Sequence, residues 1–264
     1  MQNLIKKILL GLGVILLAAC VAEDKNTLKV GVISGPETEL LETAQEYAKN
    51  KFNLNIKIIE FTDYLQPNAA LNDSSLDANV FQHQPFLDQQ IKDKHYDLVS
   101  IGKTFVYPMG IYSDKLKNLK DLPKGSLVAI PNDTSNEGRA LLLLEKAKLI
   151  KLNKKAGLFA TPQDIIDNPK QLTFTELDAS QLTRSLPDVT IAAINTNYAV
   201  AAGFSPVKDA LFLEGKDSPY ANIIVIRKDS VNDPRMKQFV SALQSDTVRD
   251  AAKRIFNNQA IPAW

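Results

Sequence analysis

The stretch from Leu28 to Ile58 constrains the fold more than any other part of this 264-residue chain. Leu28 to Ser34 (LKVGVIS) is rich in β-branched residues and runs into Gly35-Pro36, which reads as a strand and a turn. From Glu37 to Phe52 the apolar residues Leu40, Leu41, Ala44, Tyr47, Ala48 and Phe52 fall on one stripe of a helix. Leu54, Ile56 and Ile58 then alternate with Asn55 and Lys57, as in a second strand. Strand, helix and strand within about 30 residues make a βαβ unit. Repetition of that alternation predicts a parallel sheet covered by helices.

The alternation continues. A helical segment has Pro67 near its start, a short strand lies near Ala78–Phe81, Pro85 opens a helix reaching Lys94, and Tyr96–Ile101 is a strand. A second block starts near residue 113. It contains a strand at Leu127–Ile130, a helix at Asn136–Leu149, strands at Leu172–Leu177 and Val189–Ile194, and short helices at Ala179–Leu186 and Asn197–Ala202. The four leucines Leu141–Leu144 indicate a helix buried on more than one side. Ile223–Ile226 is a strand, and two helices complete the chain. Two extended runs, Phe105–Tyr112 and Ala221–Arg227, stand outside clean βαβ units. They suit crossovers between two α/β lobes, with a ligand cleft near the carboxyl ends of the strands. One continuous sheet fits the pattern equally well.

The first twenty residues are of another kind. Lys6 and Lys7 precede an uncharged, mostly apolar run from Leu9 to Ala19, which ends in Leu17-Ala18-Ala19-Cys20. This is the layout of a secretory signal, and small residues directly before Cys resemble a bacterial lipoprotein signal in which Cys20 is lipidated and becomes the new N-terminus. Residues 20–27 then form the lipidated cysteine and a polar tether. Loss of residues 1–19 takes Lys6 and Lys7 with it, and the net charge passes from +1 to −1. Acyl chains attach such a body to a membrane at about 0.8 kcal/mol per buried methylene.

Composition removes several function classes. Cys20 is the single cysteine, so no internal disulfide and no multi-cysteine metal site can form, and two histidines make a His-rich metal centre unexpected. With 31 Lys+Arg against 30 Asp+Glu there is no basic excess for nucleic acid. Catalytic signatures are scarce: Ser34 lies one position off a nucleophile elbow, and no P-loop, dinucleotide fingerprint or H-E-x-x-H is present. The expectation is a protein that is not an enzyme and has no cofactor and no metal.

Three stretches could hold a small molecule. Phe81, His83 and Phe86 gather where a strand meets a helix opened by Pro85. They suit a ligand wall, or equally a core Phe pair with a His satisfied by backbone. Arg139 follows a strand and a run of Asp, Thr, Ser and Asn, and is read as lying in the first turn of a helix. A cation there opposes the helix dipole unless an anion sits between them, and a bidentate carboxylate would fit. A surface arginine paired to Glu137 or to solvent is the other reading. Asn195 or Asn197, after a strand, could cap a helix or meet a polar headgroup, and Asn222 in a β-run faces the same choice.

Taken together, several blocks carry a resemblance: LKVGVISGP, FTDYLQPN, DANVFQHQPFLDQQ, GKTFVYP, VAIPND, GRALLLL, NTNYA and SPYANIIVIR. The chain resembles the methionine-binding lipoprotein (NlpA) family of bacterial ABC importers, from the signal to Trp264. The resemblance implies a type II periplasmic-binding-protein fold, with two α/β lobes joined by two crossover strands around a ligand cleft. It implies residues 28–108 and 223–264 in lobe 1 and 109–222 in lobe 2. It implies methionine, L or D, as ligand, with Tyr64, Phe81 and Phe86 caging the thioether and Arg139 holding the carboxylate. His83, Asn195 and Asn222 would bind the polar headgroup, with Asn197 able to replace Asn195. The implied partners are an ABC permease and ATPase complex and a membrane reached by the lipid anchor, facing periplasm or exterior, for a monomeric protein with no nucleic-acid role. Many members carry Tyr where this chain has Phe86. The rival expectations are another small amino acid, a methionine-containing dipeptide, or a surface lipoprotein without transport role.

Overall fold

The computed structural model describes residues 26–215 and 218–264, so the signal and Cys20 lie outside the described residues. The chain begins with β1 (Thr27–Ile33), α1 (Pro36–Phe52) and β2 (Asn55–Phe61), and β1 and β2 are parallel in register from Thr27↔Asn55 to Ile33↔Phe61. Gly35, at φ 122°, makes the turn into α1 that a side chain would resist, and Pro36 starts the helix. Next come α2 (Gln66–Asn72), β3 (Ala78–His83), α3 (Gln84–Lys94) and β4 (Leu98–Val106). After β5 (Gly110–Tyr112) and β6 (Leu127–Pro131), α4 spans Thr134–Lys146. A small hairpin of β7 (Lys151–Leu152) and β8 (Ile165–Asp167) precedes β9 (Thr173–Leu177), β10 (Ile191–Ile194), α5 (Thr196–Ala201), α6 (Pro206–Asp209) and β11 (Phe212–Leu213). The chain ends with β12 (Ala221–Arg227), α7 (Pro234–Leu243), α8 (Asp246–Ile255) and β13 (Ile261–Pro262).

These strands form two principal sheets. One has the order β13-β4-β12-β3-β1-β2 and the other β11-β5-β10-β6-β9. Each is mixed where a wholly parallel sheet was expected. β12 runs antiparallel to both β3 and β4, and β5 runs antiparallel to β10 and β11. Antiparallel strands enter because the chain passes between the sheets twice, so β5 and β12 are reached without a local βαβ crossover, and the short β13 adds antiparallel to β4 at the edge.

Both sheets are buried on two faces. On one side of the six-stranded sheet, Leu40, Leu41, Ala44, Met236, Phe239, Val248 and Phe256 of α1, α7, α8 and the turn after it cover β1 and β12. On the other, Leu71, Leu76, Leu87 and Leu98 pack with Ile223 and Val225. In the five-stranded sheet, Leu141, Leu143 and Leu144 of α4 bury against Val128 and Ile130, while Leu182, Leu186 and Val189 fill the opposite face. The leucine run is therefore core, as its pattern predicts. Among the described residues, no helix is long and apolar enough to cross a membrane.

Three expectations about elements change. The run Phe105–Tyr112 is not one strand: it leaves the first sheet at Val106 and enters the second at Gly110. Ala221–Arg227 lies wholly within the first sheet as β12, so the return passage precedes it. The segment Ala179–Leu186 contains one 3-10 turn, Ala179–Gln181, in place of a helix.

Candidate functional site

The carboxyl ends of β1, β3 and β10 and the helices that follow them converge on one narrow cavity. All eight residues singled out in the sequence line it: Tyr64, Phe81, His83, Phe86, Arg139, Asn195, Asn197 and Asn222. Glu37, Gln82, Tyr107, Asn136 and Thr196 line it too, and sequence reasoning missed them.

One end is aromatic. The Tyr64 ring stands 5.9 Å from Phe81 and 6.1 Å from Phe86, and Phe81 meets Phe86 edge-on at 5.8 Å. Such edge-to-face pairs hold rings in fixed directions. Ile33 completes this cluster from the end of β1.

His83 joins the aromatic end to the polar end. It is the N-cap of α3, where Nδ1 accepts the Phe86 N–H at 3.3 Å. That leaves the proton on Nε2, which donates to Asn136 Oδ1 at 3.3 Å. Burial, followed by the Arg139 charge, holds the imidazole down to about 3, so it is neutral. The expectation of a headgroup contact from His83 is thus qualified: both ring nitrogens already have protein partners.

At the polar end, Arg139 is 4 % exposed and pairs with Glu214, a residue the sequence reading overlooked, rather than with Glu137 or solvent. Nη2 meets Glu214 Oε2 at 2.5 Å and the Tyr107 carbonyl at 2.8 Å, and Nε meets both Glu214 oxygens at 3.2 Å. The Met109 N–H also donates to Glu214, and the Tyr220 ring lies 4.6 Å from the guanidinium carbon. Nη1 is the guanidinium nitrogen these contacts leave out. The placement of Arg139 in the first turn is corrected as well. α4 begins at Thr134, because the Asp133 side chain caps Asn136 N–H at 3.0 Å, and Arg139 is in the second turn. A helix-dipole argument for an anion there loses its force.

The asparagines interlock. Asn195 Nδ2 donates to Asn136 Oδ1 at 2.9 Å, Tyr64 OH donates to Asn197 Oδ1 at 2.8 Å, and Asn222 Nδ2 donates to Glu37 Oε1 at 3.0 Å. Neither Asn195 nor Asn197 caps α5 through its side chain in the way considered for them. Three buried atoms of the cavity residues are left without a hydrogen-bond partner: Glu37 Oε2, Asn195 Oδ1 and Asn197 Nδ2. Burial raises the Glu37 carboxyl to about 8, and the hydrogen bond from Asn222 offsets only part of that. The Asn195 acceptor, the Asn197 donor, the neutral Glu37 carboxyl and the remaining guanidinium nitrogen form a set that a zwitterion could complete.

Comparison with known proteins gives the family. The model of the NlpA lipoprotein family matches residues 28–264. The D-methionine-binding lipoprotein MetQ of Salmonella typhimurium is 51% identical over 257 residues, covering 96% of this chain and 95% of the relative. A nutrient-binding protein from Burkholderia cenocepacia, solved bound to methionine, superposes with a TM-score of 0.88 at 50% identity, covering 90% of this chain and 100% of that one. A periplasmic substrate-binding protein of an ABC transporter from Coxiella burnetii gives a TM-score of 0.87 at 58% identity over 89% of this chain and 100% of its own. The chain thus has the two-lobe periplasmic-binding-protein fold, and it belongs to the NlpA lipoprotein family.

Proposed function

We propose that this chain is a lipid-anchored, monomeric substrate-binding protein that captures methionine between two lobes and delivers it to an ABC permease with its ATPase. The observation that carries the reading is one cavity with an aromatic end and a polar end, the latter holding Arg139 and three unpaired atoms. The ligand names of the relatives support the same cargo. On this reading Tyr64, Phe81 and Phe86 surround the thioether, each sulfur–aromatic contact contributing about 0.3–1.5 kcal/mol. Arg139 Nη1 and Asn197 Nδ2 donate to the carboxylate. Asn195 Oδ1 accepts from the ammonium, Asn222 supports it from β12, and His83 positions Asn136 beside them. Residues 28–108 and 221–264 form one lobe and 109–220 the other, the boundary expected at 222 shifting because β12 starts at Ala221, so a ligand touching both favours closure. No covalent chemistry is involved, and Cys20 carries the anchor.

The test is native mass spectrometry and calorimetry on protein unfolded and refolded to remove carried-over ligand, with L- and D-methionine offered separately. Binding of at least one enantiomer with one-to-one stoichiometry is expected. Absence of binding by both would overturn the reading.

A further inference from the structure

Glu37 is a carboxyl that no cation answers. It is the second residue of α1, delivered over the end of β1 by the Gly35 turn, and it is 6 % exposed. Asn222 Nδ2 holds Oε1, while Oε2 is buried and unpaired at the cavity. Among the described residues no Lys, Arg or His forms an ion pair with it. The titratable groups around it are Tyr107 from the β4–β5 connection, Tyr64 from the loop before α2, and Tyr198 from α5, all phenols held above their ordinary range. His83 on β3 is neutral, and Arg139 on α4 is engaged by Glu214. Asp133, at the start of α4, accepts from Ser135 and Asn136. On the far side α7 contributes Leu243, and Arg254 of α8 pairs with Glu39 at the surface.

We propose that the ligand ammonium docks on Glu37 Oε2 and that Glu37 releases its proton to solvent as it does so, making uptake by this cavity a proton-releasing event. The inference rests on the methionine reading above. In the empty cavity Oε2 carries the proton, since Oε1 accepts from Asn222. The step breaks only that O–H bond: a neutral carboxyl and an ammonium become a carboxylate–ammonium pair plus one hydrated proton. The positive end of the α1 dipole then supports the new charge. Burial that keeps the carboxyl neutral at pH 7 in the empty site accounts for where the proton comes from.

The experiment is calorimetry of the full chain with L- and D-methionine in phosphate and in Tris, whose ionisation enthalpies differ. At pH 7 about one proton should leave per ligand bound, and affinity should rise about tenfold from pH 6 to 7 and level off above 8. Glu37→Gln should release none and lose the pH dependence. The methionine α-hydroxy acid, which lacks the ammonium, should bind the unaltered protein without releasing a proton, so the question is decided even if the variant does not fold. Binding heat that is identical in both buffers overturns the Glu37 role while leaving the methionine reading intact. No heat with either enantiomer overturns both.

Discussion

Arg139 is held by two kinds of contact at once. Glu214 and the Tyr107 carbonyl fix Nε and Nη2 within the protein, Nη1 lies outside these contacts, and the residue lines the cavity. Replacing Arg139 by Ala should weaken methionine binding by about 2–5 kcal/mol. It should also destabilise the fold by about 3–5 kcal/mol, because Glu214 is left buried without its partner. The paired change Arg139→Met with Glu214→Met separates these effects: melting temperature should recover and methionine binding should not. Calorimetry showing parental affinity in that double variant would remove Arg139 from the site. At this scale the sequence disclosed residues with a local signal. Phe81, His83 and Phe86 sit on a strand-to-helix junction marked by Pro85, and Arg139 follows a capping run. Glu37 and Glu214 had none. Their partners Asn222 and Arg139 lie 185 and 75 residues away, and in sequence Glu37 is one more acid in the first turn of a helix.

Among the elements, α4 is the one whose packing leaves least room. A Cβ on Gly138 would stand 2.2 Å from the Leu158 carbonyl oxygen, which belongs to backbone and cannot swing aside. Gly138→Ala should therefore cost about 1–3 kcal/mol, read as a fall in melting temperature. An unchanged melting temperature would mean that the 157–159 turn yields freely. The element pattern was legible wherever one face of a strand or helix meets core: β1, α1, β2, β6 and β9 fall close to the expected places. It failed where tertiary contacts decide. β13 is two residues long and exists because β4 offers an edge, with Trp264 packed at 4.9 Å on Phe105. The start of α4 lies two residues before the expected Asn136 because the Asp133 carboxylate, not the hydrophobic period, sets it.

For the whole molecule, the alternation of strands and helices left one sheet or two equally open, and it could not do otherwise. Hydrophobic period reports whether a strand is buried, not which sheet receives it, and β4 and β5 are separated by only Tyr107, Pro108 and Met109. Two consequences can be measured. The first concerns pH. Glu37 ionises at about 8 when folded against an ordinary 4.5, so the unfolded chain holds fewer protons across that window, and stability is lost as pH rises through it. His83, at about 3 against 6.5, acts with the opposite sign and loses stability as pH falls below 6.5. Denaturant titrations of ligand-free protein should show the parent losing roughly 1.4 kcal/mol per pH unit more than Glu37→Gln between about pH 4.5 and 8. Parallel curves would contradict this assignment. The second concerns closure. Tyr64 OH bonds Asn197, and Tyr198 OH bonds the Thr62 carbonyl at 3.2 Å, tying residues near the first sheet to the helix that follows β10. The double variant Tyr64→Phe with Tyr198→Phe should show a larger radius of gyration by X-ray scattering at equal, subsaturating methionine, and an identical radius would deny these bonds a part in closing. The three unpaired cavity atoms carry a further meaning. A closed, vacant protein must strand each of them at about 1–3 kcal/mol, a burden that opening to water removes. On the proposed function, the ligand that satisfies these atoms is also what holds the lobes shut, and a permease touching both lobes would then tell a loaded carrier from an idle one.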